Sequence, residues 1–225
     1  MIRRALVVCA AAVAVAGCGG GGTHGRATLW ITRDEGAKVL LVRSVPAGET
    51  ALQALARSAR ISTRYGGRFV QSIDGVSGSI SSRHDWFYFV NGIEADRGAA
   101  EYRLHDGDLE WWDYRDWGRY GQNVSVVVGA FPEPFLHGYD GKVRPAVVVG
   151  EPTPELRKIA RLLHAKVLGE GINPLPAGAN VLLVAPGPVA RFAAAKQGGA
   201  VTFTFFGDPS RLLHPSFYRY RYRIP

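Results

Sequence analysis

Residues 85–92, with the sequence DWFYFVNG, constrain the fold of this chain more than any other stretch. Residues 86–90 are aromatic or aliphatic without a break, which predicts a β-strand. Asn91-Gly92 then supplies the positive φ angles that a type I′ hairpin turn requires. Alternate side chains of the strand would face opposite sides of the sheet, Trp86, Tyr88 and Val90 against Phe87 and Phe89. Because both faces are apolar, we expect a central strand covered on both sides, or one with a face covered by a ligand.

The rest of the first half predicts a sheet with one helix. The apolar pattern predicts three more strands, over residues 27–33, 38–45 and 68–73. Thr50 and Gln53 have the spacing of a capping box, so we expect a helix over residues 50–60. The spacing i, i+3, i+4, i+7 assigns its buried face to Leu52, Leu55, Ala56 and Ala59.

Two connecting segments frame the aromatic strand. Residues 74–83 are rich in Gly and Ser and predict a mobile loop that leads into it. After the strand, Asp106-Gly107 is a second strong turn signal. We expect it to close a hairpin that pairs residues 102–104 with residues 109–114.

The second half alternates strand and helix patterns. Apolar runs predict strands over residues 124–130, 145–150, 181–185 and 201–206. Helices are predicted over residues 154–168, where Thr153-Pro154 marks the start, and over residues 188–197. Residues 218–223, YRYRYR, predict an edge strand with tyrosines inward and arginines outward. Strands separated by helices favour a small α/β unit with some parallel pairing.

The N-terminus has the pattern of a processing segment. Arg3-Arg4 precede an apolar run that is too short to span a bilayer, and Val15-Ala16-Gly17-Cys18 resembles a bacterial lipobox. We expect residues 1–17 to be a signal peptide, Cys18 to be lipidated, and residues 18–26 to be a Gly-rich tether. The alternative is a plain secretory signal that contains Cys18. Since the other cysteine, Cys9, lies in the removed segment, disulfides and cysteine nucleophiles are excluded from the mature protein.

The net charge of +8 is unevenly distributed. Residues 18–121 carry 13 basic and 13 acidic side chains, whereas residues 122–225 carry 12 basic and 6 acidic ones. An extracytoplasmic address makes nucleic acid an unsuitable partner, which leaves anionic headgroups, cell-wall polymers or a merely solvated basic surface.

The sequence contains no recognisable catalytic constellation. A Gly-x-Ser-x-Gly elbow and a phosphate-binding Gly-x-x-x-x-Gly-Lys motif are absent, and the six histidines lack metal-ligand spacing. Five carboxylates lie close together in the sequence, namely Asp106, Asp108, Glu110, Asp113 and Asp116. They could hold Ca²⁺ weakly, but turns and solvent-facing strand positions explain them better. We therefore expect no enzyme, no cofactor and no metal.

The first half also resembles a known family. Trp86, the segment of residues 98–102 (GAAEY) and Gly107-Asp108 match the transcobalamin-like C-terminal domain in its bacterial form, over about residues 28–114. The hairpin followed by a capped helix resembles the β-grasp fold. The resemblance thus implies a β-grasp-like domain over residues 27–114. Residues 115–121 lack a clear period, so we expect a linker over residues 115–122 and a basic α/β domain over residues 123–225. The fold class would be α+β.

In that family the domain covers the upper face of a corrin, with the Trp strand and its turn near the ligand. The resemblance implies ligand contacts at Trp86, Tyr88, Asn91 and Gly92. The surrounding cluster of aromatic residues is equally consistent with a binding surface for a flat ligand and with the core of a small sheet. On the first interpretation, Tyr102 and Trp112 are further candidate ligand contacts. We therefore expect an extracytoplasmic, membrane-anchored lipoprotein that binds a small ligand without catalysis, cobalamin or another corrinoid being the named candidate. The alternative is an envelope module that binds a protein or polysaccharide through the sheet.

Overall fold

A computed structural model describes residues 25–120 and 123–225, the side chains of Arg119 and Tyr120 excepted. The predicted signal peptide, the lipidation site Cys18 and most of the predicted tether lie outside these residues. Within them the chain forms two five-stranded sheets, one three-stranded sheet and several short helices, which confirms the α+β class. No helix in the described ranges is long and apolar enough to cross a bilayer.

Residues 25–120 form the first unit. Its elements are β1 (Arg26–Arg33), β2 (Lys38–Pro46), α1 (Ala51–Ser58), β3 (Ile61–Arg64), β4 (Phe69–Ile73), β5 (Val76–Ser77), β6 (His84–Val90), β7 (Ile93–Glu94), β8 (Leu109–Asp116) and α2 (Trp117–Tyr120). The main sheet has the order β2-β1-β8-β6-β7, and β3, β4 and β5 form the small sheet. β8 runs parallel to β1 and antiparallel to β6, so β8 is the central strand.

The aromatic strand β6 and its turn form as predicted. Asn91 and Gly92 have φ angles of 51° and 77° and connect β6 to β7. The strand is nevertheless not the central one, because β8 separates it from β1. The predicted hairpin between residues 102–104 and 109–114 is wrong. β8 already pairs along both of its edges, so no edge remains for residues 102–104, where Arg103 makes only a single bridge with Thr50.

Helix α1 packs on one face of the main sheet. Its predicted capping box is present: Gln53 N donates to Thr50 Oγ1 at 3.2 Å, and Thr50 N donates to Gln53 Oε1 at 2.9 Å. The predicted buried face is shifted by one residue, since Ala51, Ala54 and Leu55 are buried and Ala56 is exposed. The predicted and the observed buried residues both have helical spacing and share Leu55. The remaining positions are mostly alanines, whose small side chains give the sequence pattern little information about which face is buried.

Residues 123–225 form the second unit. Its elements are α3 (Glu133–Leu136), β9 (Ala146–Val149), α4 (Pro154–Leu162), β10 (Lys166–Leu168), β11 (Asn180–Ala185), β12 (Arg191–Gln197) and β13 (Ala200–Phe206). The sheet order is β10-β9-β11-β13-β12, in which β12 alone of the five is antiparallel to its neighbour. Parallel pairing is therefore present, as expected, and α4 begins at the predicted cap Thr153.

Several boundaries in this unit were predicted wrongly. The predicted strand over residues 124–130 is a 3₁₀ turn at Val128–Ala130. The helix predicted to reach residue 168 ends at Leu162, because His164 adopts a φ of 51° and the following residues join the sheet as β10. The helix predicted over residues 188–197 is β12, where pairing with β13 overrides the helix preference of its alanines.

The C-terminal YRYRYR segment is a turn and an irregular stretch, not an edge strand. Its alternation is as predicted, because Tyr218 and Tyr222 are buried and the arginines are exposed. The segment bends across the second face of the main sheet, the face opposite α1. There Phe89 and Trp111 pack beneath Tyr222, and Trp30 contacts Tyr220 with ring centroids 4.4 Å apart. Both faces of β6 are thus covered by protein.

Candidate functional site

The residues predicted to bind a ligand are in the interior of the first unit. Trp86, Asn91, Gly92, Tyr102 and Trp112 are buried, and Tyr88 is partly buried with its ring stacked on that of Trp112. The structure brings Trp86, Tyr88, Tyr102 and Trp112 into one core beneath α1. Their role as ligand contacts stays a prediction, because no cleft described below is lined by any of them.

The polar atoms of the predicted aromatic site are used within the fold. Trp86 Nε1 donates to the carbonyl oxygen of Val76 at 2.8 Å, and the Tyr88 hydroxyl donates to that of Arg97 at 2.5 Å. Each bond fixes a loop to the strand beside it. These aromatic side chains therefore position neighbouring backbone, whatever else they contact.

Asn91 joins three segments through a fully buried amide. Its Nδ2 donates to Asp108 Oδ1 at 2.7 Å and to the carbonyl oxygen of Gly138 at 3.0 Å, and its Oδ1 accepts from Leu109 N at 2.7 Å. Gly138 belongs to the second unit. The turn residue predicted to meet a ligand thus connects the two units.

Glu110 is a buried acid close to this amide. Its Oε1 accepts from Trp112 Nε1 at 2.5 Å, and its Oε2 has no hydrogen-bond partner among the described residues. Loss of solvation raises the pKa of Glu110 well above the usual value, and the charge of Asp108 adds to this effect. The carboxyl group is enclosed by the core, so it is a feature of stability rather than of a binding cleft.

An open cleft of about 510 Å³ lies at the entrance to the aromatic strand. We call it the Tyr65 cleft, and its principal lining residues are Arg64, Tyr65, Phe69, Gln71, Ile80 and Asp85. Tyr65 stands at the turn between β3 and β4, and Ile80 stands in the Gly/Ser-rich loop. These side chains are 77% and 85% exposed, which is unusual for two large side chains with apolar surface that line one cleft.

The walls of the Tyr65 cleft are held by the surrounding strands. Gln71 Nε2 donates to the carbonyl oxygen of Gly78 at 2.9 Å, and the Tyr114 hydroxyl donates to that of Ser77 at 2.9 Å. Part of the predicted loop is therefore the short strand β5. In the lining of the cleft, partial burial raises the pKa of Asp85 above its usual value. The hydrogen bond from the Trp86 N–H and the positive charge of Arg64 act in the opposite direction.

A second cleft, of about 750 Å³, lies on the opposite face of the main sheet from α1. We call it the arginine cleft, and it is lined by residues 34–37, Val39, residues 219–223 and Pro225. Three of its side chains are the exposed arginines of the C-terminal segment. Tyr222, between them, turns inward to the core.

The carboxylates considered for Ca²⁺ do not converge. Asp108 faces Asn91, whereas Asp113, on the other face of β8, accepts from the Thr32 hydroxyl at 2.5 Å and from Gly36 N at 3.1 Å. Across the described ranges, no group of three or more His, Cys, Asp or Glu side chains is arranged to hold a metal ion.

Comparison with known proteins identifies a domain in the first unit. Residues 48–116 match the model of a domain of unknown function, DUF4430, which falls largely within the range of the family resemblance. No match was found among curated proteins.

Two solved structures share weak similarity with the chain. Haptocorrin in complex with Cbi is 14% identical with a TM-score of 0.33, over 40% of this chain and 25% of haptocorrin. A protein from Ruminococcus gnavus ATCC 29149, provisionally described as metal binding, is 15% identical with a TM-score of 0.34, over 41% of this chain and 97% of its own. The match thus spans only a quarter of haptocorrin, and at these TM-scores neither structure adds to the argument.

Proposed function

We propose that the protein is a non-catalytic binding protein of the cell envelope, anchored by a lipid on Cys18, and that the Tyr65 cleft holds a small, partly apolar ligand. Cobalamin or another corrinoid is the named candidate, as a ligand rather than a cofactor. The observation that carries the proposal is the juxtaposition of Tyr65 and Ile80, both largely exposed, in a cleft of about 510 Å³. Ligand clefts in proteins have volumes of roughly 300–1,000 Å³.

The chemistry of the cleft suits a flat ligand with polar edges. Tyr65 and Phe69 offer aromatic surface, with ring centroids 6.4 Å apart in an edge-to-face arrangement. Arg64 and Asp85 add one charge of each sign beside this surface. A conjugated ring could stack on the apolar wall while its polar substituents reach these two residues. The resemblance to the corrin-covering domain names a corrinoid as the candidate, while the choice of the Tyr65 cleft rests on its exposed apolar lining.

The lining of the cleft favours binding over catalysis. Among the described residues, the side chain of Asp85 forms no hydrogen bond with a histidine, serine or cysteine, and the two serines of the cleft, Ser79 and Ser81, bond to each other at 2.9 Å. Asp85 Oδ1 instead accepts a hydrogen bond from the N–H of Trp86 at 2.8 Å. The carboxyl is therefore occupied in fixing the start of β6.

A fluorescence titration tests the ligand. All five tryptophans precede residue 118, and Trp86 adjoins Asp85, so a bound corrinoid should quench the protein's emission. Cobinamide and cobalamin would be titrated into the wild type and into Tyr65→Ser and Ile80→Ser, which should weaken binding at least roughly tenfold each, in keeping with loss of a buried apolar contact. Val189→Ser, at another exposed apolar residue, should bind as the wild type does.

Two results would contradict this function. Absence of quenching up to micromolar ligand would remove the corrinoid, and equal loss in Val189→Ser would show that the effect is unrelated to the cleft. Quenching that survives both cleft substitutions, but disappears in Trp86→Ala with the circular dichroism unchanged, would move the site to the predicted aromatic strand. A Cys18→Ser protein that still fractionates with membranes would count against the lipid anchor.

A second candidate function is an envelope module that binds a protein or polysaccharide through the main sheet. It is favoured by β2, an edge strand of nine residues with several exposed apolar side chains. Such an edge can accept an added strand. Retention of an envelope partner by Tyr65→Ser, together with its loss in Val42→Lys, would favour this function.

A further inference from the structure

The arginine cleft is built on a rigid backbone. The C-terminal segment lies over two glycines: a Cβ on Gly36 would lie 1.5 Å from the carbonyl oxygen of Tyr220, and one on Gly129 would lie 2.6 Å from Arg221 N. Val128 N also donates to the carbonyl oxygen of Tyr222 at 3.1 Å. The exposed arginines therefore project from a fixed segment, which reduces the entropy lost when they bind a ligand.

An apolar stripe continues from the cleft along the sheet. Val39, Leu40 and Val42 of the edge strand β2 are 43%, 44% and 51% exposed. Val42 pairs across the sheet with Trp30, whose ring contacts Tyr220. Val39 lines the arginine cleft itself, and Trp30, which is 9% exposed, lies in the core next to Tyr220.

The charge around the cleft is mainly positive. Three arginines line it, Arg219, Arg221 and Arg223, against the carboxylates of Asp34 and Glu35, so its lining is net positive. Among the described residues, neither Arg219 nor Arg221 has a carboxylate within 4.0 Å. Their guanidinium groups are therefore available to an outside anion.

We propose that this face, the arginine cleft with the β2 stripe, docks on an anionic phospholipid membrane, with a phosphodiester headgroup in the cleft. Guanidinium groups bind phosphate oxygens in a bidentate manner, aromatic rings favour the headgroup level, and aliphatic side chains favour the acyl boundary. The exposed arginines, the partly exposed ring of Tyr220 and the exposed side chains of Val39 and Val42 offer these three chemistries on one face of the sheet. The inference rests on the proposed envelope location but not on any ligand of the Tyr65 cleft.

The contact gives a single lipid anchor a second point of attachment. A basic patch adds roughly fivefold in affinity for each arginine near the anionic surface, in addition to the affinity of the lipid on Cys18. The docked face would also turn the main sheet toward the bilayer.

Vesicle sedimentation tests the proposal. The protein without residues 1–17, carrying Cys18→Ser, retains every described residue and has no acyl chain. We expect it to bind vesicles of phosphatidylcholine with phosphatidylglycerol, not phosphatidylcholine alone, and to dissociate as salt increases. Arg219→Gln with Arg221→Gln should lower the partition coefficient roughly 20-fold.

Matched variants separate this face from general charge. Arg157→Gln with Lys158→Gln removes two exposed charges from α4 and should change binding by less than about threefold, as expected for screened distant charges. Val39→Ser with Val42→Ser should weaken binding with the circular dichroism unchanged. Equal losses in the two charge variants, or no vesicle binding, would overturn the proposal.

The source of the phosphate is distinguished in the same assay. Tight binding of soluble glycerol phosphate without vesicle binding would overturn the membrane contact in favour of a soluble anion. Binding to a polysaccharide or protein that vesicles fail to displace would equally reject it. Quenching by cobinamide is measured separately, so either proposal can fail while the other stands.

Discussion

Replacement of Asn91 tests whether one buried amide connects the two units. Asn91→Ala removes a donor to Gly138, a donor to Asp108 and the acceptor of Leu109 N–H. An unsatisfied buried neutral group costs about 1–3 kcal/mol, and a charged one costs more. Alanine also adopts the observed φ of 51° less readily than asparagine, at about 1 kcal/mol. We therefore expect a loss of about 4–6 kcal/mol.

This loss is large compared with the total stability of a domain, about 5–15 kcal/mol. Asn91→Gly separates its two sources, because glycine loses the same hydrogen bonds without the backbone strain. It should be more stable than Asn91→Ala by about 1 kcal/mol. Asn123→Ala, at an exposed asparagine, should be within about 0.5 kcal/mol of the wild type.

Urea denaturation followed by two probes measures these differences. Tryptophan emission reports the first unit together with the C-terminal segment that packs on Trp30 and Trp111, whereas far-ultraviolet circular dichroism reports the whole of both units. In the wild type the two transitions should coincide, and in Asn91→Ala they should separate as the link to Gly138 is lost. A loss below about 1.5 kcal/mol with coincident transitions would refute the reasoning, because these bonds would then be replaceable by water or by local relaxation.

Two further substitutions probe the same region. Burial raises the pKa of Glu110, so the folded protein keeps this proton at pH values where the unfolded chain has lost it. The free energy of unfolding of the wild type should therefore fall as pH rises from the ordinary glutamate pKa toward the raised pKa of the folded state. The expected slope is up to about 1.4 kcal/mol per pH unit. Glu110→Gln keeps an acceptor for the Trp112 N–H and should be more stable than the wild type at pH 7. Its free energy of unfolding, measured by urea titration at several pH values, should depend less on pH. A pH dependence equal to that of the wild type would show that another group titrates. Gly92→Ala places a Cβ 2.8 Å from that of Ala130 at a φ of 77° and should cost about 2–3 kcal/mol by thermal denaturation. Gly48→Ala has the strain of a φ of 85° without a neighbour within 4 Å, so equal losses in the two variants would exclude the steric contribution.

Local signals in the sequence predicted the elements that local physics determines. The capping residues of α1 and the Asn91-Gly92 turn require particular side chains at particular positions, and both form as expected. The alternation of β6 likewise assigned Trp86 and Phe89 to opposite faces, where the structure has them.

Pairing between distant segments could not be predicted in the same way. Asp106-Gly107 has a strong hairpin signal, yet β8 finds its partners in β1, about 80 residues earlier, and in β6. The choice depends on which edges are free in the assembled sheet, and no short window contains that information. β12 shows the same effect, since pairing with β13 decided between a helix and a strand.

The Tyr65 cleft was not predicted from the sequence, for a related reason. Residues were chosen for aromatic content, but Trp86 and Trp112 both fill the core between the main sheet and α1. The exposed residues Tyr65 and Ile80 had a weaker signal: one precedes a Gly-Gly turn, and the other is an isolated large apolar residue in a Gly/Ser-rich loop. Turns and loops favour polar residues, glycine and proline, so a large apolar residue in such a segment is unusual. This pattern could have indicated Tyr65 and Ile80 as exposed apolar surface.

The second face of the main sheet explains why the units depend on each other. Phe89 and Trp111 are fully buried only because residues from 127 onward, including Tyr222, lie over them. Exposing two such side chains would cost about 3–6 kcal/mol, a large part of the stability of a small domain. Of the linker predicted at residues 115–122, residues 115–116 belong to β8 and residues 117–120 to α2, and the packing crosses this part of the chain. The segment that completes this core also carries the exposed arginines, so the residues that stabilise the first unit are the ones that place the proposed membrane-binding face.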